Sequence, residues 1–223
     1  IDKEPFHVYY MTVSGHMRYS FTGNAMAAKN KKLVQHLPYS EAGKAYIACQ
    51  IELDRALEYL LNKLEEAGIA DKTLIVLSSD HYPYGLELKE IDELAGHEVE
   101  RNFELYKNHF ILYAKGMKPT VIDKPCSSLD ILPTISNLMG LDFDSRLLMG
   151  RDIFSDSEAL VIFENKSFIT DKGRYNSLTG AFTPNPGITV DENYVNTIKD
   201  IVDNKFYYSA KILETDYYKY VSK

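Results

Sequence analysis

Asp80 and His81 stand side by side where an apolar run, TLIVL at residues 73–77, gives way to YPYG at 82–85. A carboxylate oxygen beside an imidazole nitrogen suits Mn²⁺, Zn²⁺ or Mg²⁺ better than Ca²⁺, which prefers oxygen throughout. Neighbours inside a strand point to opposite faces. Just past a strand end the backbone turns, and both side chains can reach one ion. Two ligands do not close a site, so partners must come from elsewhere. The plainer alternative is a polar turn in which Asp80 caps the backbone and His81 packs beside Tyr82. His16, after Ser14 and Gly15, is the other candidate. It could act as a general acid or base, or donate to a phosphate oxygen; an imidazole satisfied by nearby backbone is its plainer reading.

The remaining polar residues are weaker candidates. His97 and His109 read as surface or structural side chains, as do His7 and His36. The lysines around Asn30 (Lys29, Lys31, Lys32) read as a solvated loop or short helix, because charge runs are usually just solvated. Arg146 and Arg151 read as ion pairs that fix a loop. Neither a Walker-type phosphate loop nor a G-x-S-x-G elbow is present.

The elements that must position these residues follow from periodicity. PFHVYYMTV at 5–13 is rich in β-branched and aromatic residues and predicts a strand ending just before His16. Ser40 caps a predicted helix reaching to about Ala67, with Tyr46, Cys49, Leu53, Leu57, Leu60 and Leu64 on one face and Gly68 as its stop. A buried strand at 73–77, a helix-compatible stretch at 86–99, a strand at 109–114 and a helix at 128–139 come next. A strand at 160–163 and a hairpin at 167–183 follow, with Asp171, Lys172 and Gly173 at its turn. Thr189 and Glu192 form a capping-box pattern before a last helix. Alternation of strands and helices predicts an α/β fold, a mainly parallel sheet flanked by helices, with a C-terminal β-hairpin and helix. Residues 1–223 are expected to form a single domain. In such sheets ligands bind beyond the carboxyl ends of strands, where both His16 and the Asp80/His81 pair would lie.

Composition bounds the partners. A net charge of −7, from 25 basic and 32 acidic residues, argues against general affinity for nucleic acid. No apolar run approaches the ~18 residues needed to span a bilayer, and the opening IDKE is no signal peptide. The chain itself is expected to be soluble. Cys49 and Cys126 are expected to be free thiols.

The order of these pieces resembles the alkaline phosphatase/sulfatase superfamily. Within it, the chain is similar to the extracellular catalytic domain of lipoteichoic acid synthase-type phosphoglycerol transferases. The matching segments are MTVSGHMRYSF, KAYIACQIELDRALEYLLNKLEEAGIADKTLIVLSSDHYPYG, SSLDILPTISNLMGL and LLMGRDIF. They span residues 5 to about 155; residues 156–223 match less distinctively.

The resemblance implies that Asp80 and His81 bind a divalent metal, manganese first, with magnesium or zinc as alternatives. It implies that His16 contacts the phosphate or glycerol part of the substrate, and that Ser128, Asp130 and Thr134 are architectural. The substrate it implies is an anionic glycerophospholipid resembling phosphatidylglycerol, with a growing cell-envelope polymer as acceptor. The work would be done at the extracellular face of a bacterial membrane by a parent anchored upstream. The family's nucleophilic threonine, the glutamate before it and a substrate-binding arginine all precede the strand leading to His16. Thr12 and Thr22 do not match that threonine, so no catalytic nucleophile is assigned in this chain. The expectation is a catalytic domain truncated on its N-terminal side and inactive alone, with self-association through its exposed sheet edge. The alternatives are a hydrolase of the same superfamily and a non-catalytic domain that binds the cell envelope.

Overall fold

The computed structural model describes residues 5–221, which divide after Pro119 into two compact units. The first is built on two packed helices, α1 (Ala25–Val34) and α2 (Glu41–Glu66). Asn24 caps α1 by accepting from the amides of Met26 and Ala27, and Ser40 caps α2 by accepting from that of Gly43. Ala27, Ala45, Ala48 and Cys49 are fully buried between them, small enough to let the backbones approach. Asn30 is 2% exposed: its amide donates to the Ala48 carbonyl and to Glu52, and its oxygen accepts from Arg55. The lysine-flanked stretch is therefore a packed helix, because one buried amide with satisfied partners outweighs the lysines around it. Gly68, at φ +71°, ends α2 as expected, with the amide of Ile69 returning to the Leu64 carbonyl.

After α2, strand β1 (Ile75–Ser78) leads into the candidate site. Helix α3 (Leu88–Ala95) follows, opened by a capping box between Glu87 and Glu90 and closed by Gly96 at φ +76°. Both carboxylate oxygens of Glu93 accept from the Ser40 amide, tying α3 to the start of α2. Strand β2 (Phe110–Tyr113) then pairs with β1 antiparallel, Ser78 opposite Phe110.

In the second unit α4 (Ile131–Leu138) is preceded by a 3₁₀ turn at Ser128–Asp130. Strands β3 (Leu160–Ile162), β4 (Phe168–Thr170), β5 (Gly173–Asn176) and β6 (Ala181–Pro184) form a meander in that order. Helix α5 (Tyr194–Glu214) packs on it through Tyr194, Ile198 and Val202, which share a core with Phe168 and Tyr175. A short α6 (Tyr218–Val221) completes the described chain.

The α/β class holds, but the mainly parallel sheet does not: both sheets of the described residues are antiparallel throughout. The connection from β1 to β2 is long enough for a crossover. Its helix packs on α2, however, and nothing obliges the chain to return in the same sense. The stretch at 6–13 forms no strand and is exposed, because strand propensity is realised only when a neighbour takes up the backbone groups. Strand β1 is half-buried rather than buried. The expected hairpin is part of the four-stranded meander, with its turn at the expected residues. The last helix starts at Tyr194, and Asn193 at its cap makes no side-chain capping bond, so the pattern at Thr189 and Glu192 is not its start.

Candidate metal centre

Asp80 and His81 lie just past the end of β1, in a bend where both side chains reach solvent. The Asp80 side chain is 84% exposed and that of His81 40%. Asp80 Oδ2 stands 3.7 Å from His81 Nε2. His81 Nδ1 donates to the Tyr82 carbonyl at 2.7 Å, which makes Nδ1 the protonated nitrogen and leaves Nε2 to face the carboxylate. Among the described residues no backbone amide donates to Asp80, so the turn-cap alternative lacks its defining bond. The His81 ring packs on Tyr84, with centroids 4.3 Å apart, rather than on Tyr82.

The two donors fit one cation. Ligands about 2.1 Å from a shared ion stand roughly 3 to 3.4 Å apart, which a small side-chain rotation would reach from the observed geometry. As an ion pair alone, so exposed a contact is worth little. They remain two: no cluster of three or more His, Cys, Asp or Glu side chains able to hold a metal ion occurs among the described residues. Two donors alone leave most of a cation's coordination to other groups.

His16 sits on a separate loop held by hydrogen bonds. Its amide donates to the Val13 carbonyl, its own carbonyl accepts from Asn24, and Nδ1 donates to the Met17 carbonyl at 2.9 Å. Tyr19, buried below, donates its hydroxyl to the Gly15 carbonyl at 3.2 Å and meets Tyr46 of α2 edge to face. Burial first, then the charges of Tyr46, Cys49 and Tyr84, push the Tyr19 phenol up to about 12. This loop touches the one carrying Asp80 and His81. A Cβ on Gly85 would lie 2.8 Å from Met17 Cβ and 3.1 Å from the Tyr19 ring, so only glycine permits the approach. His16 and His81 are thus carried on loops in direct contact, each with Nδ1 donating to the carbonyl of its next residue.

The other candidates resolve as structure. His97 binds Glu104 at 2.8 Å through Nε2, which raises its pKa, and lies on a surface loop. His109 is exposed; because β2 runs antiparallel, its start lies at the same sheet end as Asp80, a placement that a parallel expectation misses. Arg146 makes a forked pair with Asp144 and holds that carboxyl down at about 2. Arg151 instead uses the Glu158 carbonyl, so it fixes its loop through backbone rather than an ion pair. Asp130 accepts from the amides of Ser127 and Arg151, and Thr134 from that of Ile153, which is the architectural role expected of both. Cys49 is buried, Cys126 half-buried, and both are free, their thiols pushed up by burial. A small cavity of about 10 Å³, room for one water, lies among Lys124, Asp130, Arg151 and Leu160, in the unit that does not carry Asp80 and His81.

Residues 2–141 match the Sulfatase family. Lipoteichoic acid synthase of Staphylococcus saprophyticus is 29% identical over 178 residues, 78% of this chain and 27% of that protein. Lipoteichoic acid synthase 2 of Bacillus subtilis is 26% identical over 227 residues, 96% of this chain and 33% of its own length. Lipoteichoic acid synthase of Staphylococcus aureus is 29% identical over 181 residues, again 78% of this chain and 27% of the relative. The chain spans about a third or less of the length of these relatives. His16, Asp80 and His81 all fall inside the matched stretch, and on that match the chain belongs to the sulfatase family.

Proposed function

We propose that this chain is part of a metal-dependent phosphoglycerol transferase, in which Asp80 and His81 supply two ligands to one divalent cation, manganese first, with magnesium or zinc as alternatives. The reaction would move glycerophosphate from an anionic glycerophospholipid to a hydroxyl on a cell-envelope polymer at the outer face of a bacterial membrane. The observation that carries this reading is the exposed carboxylate 3.7 Å from an imidazole whose other nitrogen is already committed, within the stretch that matches the family. When bound, the cation neutralises charge on phosphoryl oxygens and makes a neighbouring hydroxyl a better nucleophile. His16 contributes Nε2. With Nδ1 donating to Met17, that atom donates to a phosphoryl oxygen only when the ring is an imidazolium. The nucleophile is assigned to a segment outside residues 1–223, so the chain alone is inactive. Water in place of the polymer hydroxyl would give a hydrolase of the same family, a reading that the family name favours and the acceptor alone distinguishes.

The test is a calorimetric titration of Mn²⁺ into this chain and into the longer protein that includes the segment before it, with D80A and H81A. Release of glycerophosphate from a labelled lipid is followed in parallel. Weak binding by the chain, tight binding and turnover by the longer protein, and loss of both in the variants are expected. A longer protein that binds no Mn²⁺, with variants indistinguishable from it, overturns the reading in favour of a non-catalytic envelope-binding domain.

A further inference from the structure

The residues that follow the ligand pair are arranged around one of its members. We propose that Tyr84 is a positioning residue, which holds the His81 imidazole in the tautomer and direction that a metal ligand needs; the inference rests on the metal reading above. The Tyr82 carbonyl accepts twice, from His81 Nδ1 and from the Tyr84 amide, each at 2.7 Å. One oxygen therefore ties the imidazole and Tyr84 to the same point, using both lone pairs. Pro83, with its fixed φ, sits at the apex of this tight turn. The Leu86 amide closes the turn on the Pro83 carbonyl at 2.9 Å, and buried Leu86 anchors it in the core of α1 and α2.

A single hydrogen bond would leave the ring free to swing about Nδ1. The Tyr84 ring removes that freedom by lying against the imidazole, centroids 4.3 Å apart and planes tilted by 39°. Tyr84 is itself backed edge-on by Tyr82, at 6.2 Å, and Tyr82 by Tyr106, at 5.6 Å. The neutral ring so held carries its lone pair on Nε2, the atom that faces Asp80. On an exposed bend, where imidazoles otherwise sample several rotamers, this supplies the orientation that a ligating histidine normally takes from its outer shell. Packing uses the ring face and not the hydroxyl, so phenylalanine should replace Tyr84 and leucine should not.

Long-range proton–nitrogen spectra of the histidine rings in the ¹⁵N-labelled chain test this. They are recorded about two units above the ordinary imidazole pKa of about 6.5, with H81Q identifying the His81 signals. The wild type and Y84F should show the Nδ1–H tautomer at His81, and Y84L a mixture of both, with backbone amides elsewhere unmoved. Mn²⁺ added to the same samples should broaden the His81 signals, at a midpoint about tenfold higher in Y84L, the low end of what losing an outer-shell partner costs. Wild-type tautomer and midpoint in Y84L would overturn the positioning role and leave the metal reading standing. Wild-type His81 signals untouched by Mn²⁺ would overturn the metal reading, and the positioning role with it.

Discussion

Tyr19 shows how one buried side chain shapes the loop that carries His16. Its hydroxyl holds the Gly15 carbonyl from below, its ring meets Tyr46 edge-on, and a Cβ on Gly85 would press on that ring at 3.1 Å. Y19F keeps the ring and removes the bond, at a cost of about 1 kcal/mol, measurable by urea unfolding. The pH dependence is equally specific. The folded phenol is pushed from 10.0 to about 12, so the native state keeps a proton that the unfolded chain loses first. The resulting stabilisation is complete below about pH 10 and is lost as the pH climbs towards 12. Y19F should flatten this alkaline limb, and an unchanged profile would show that Tyr19 does not set it.

Among elements, the joint between the turn before α4 and the LLMGRDIF segment is the most tightly specified. The Arg151 amide reaches Asp130, the Ile153 amide reaches Thr134, and between them Gly150 passes directly over the Leu129 carbonyl. A Cβ on Gly150 would lie 1.9 Å from that oxygen, a backbone atom that cannot rotate away. G150A is expected to destabilise the protein by about 3 kcal/mol, the upper end for overpacking. T134V leaves an amide without its acceptor and should cost about 1 to 2 kcal/mol. Thermal or chemical unfolding checks both, and a neutral G150A would show that the close approach is not required. SSLDILPT and LLMGRD are legible as motifs because a close backbone approach and paired amides admit few residue types. The sequence does not say which amide each side chain serves.

For the whole molecule, exposed apolar surface is the property with consequences. Tyr9, Tyr10, Met11 and Val13 are each 68% exposed or more, on a stretch with strand composition and no strand partner among the described residues. No helix among the described residues is long and apolar enough to cross a membrane. Such a segment pairs readily with another chain. Sedimentation equilibrium should therefore give an apparent mass that rises with concentration, and V8K/Y10K should reduce the rise. A monomer mass independent of concentration overturns this expectation.

Local features of this protein are determined by the sequence itself. Ser40, the apolar face of α2 and Gly68 specify a helix within a few residues of each other, and the structure has that helix between those caps. The adjacency of a carboxylate and an imidazole after a strand is equally local. Contacts between distant residues settle the rest. The direction of β2, and with it the company of His109 at the site end, depends on where α3 finds its packing surface on α2. The stretch at 6–13 has the composition of a strand and lacks a partner, and composition cannot supply one. That the small residue after Tyr84 must be glycine follows only once the His16 loop is seated beside the turn. Periodicity and caps act through neighbours along the chain, whereas pairing, register and loop contact act between residues that only folding brings together.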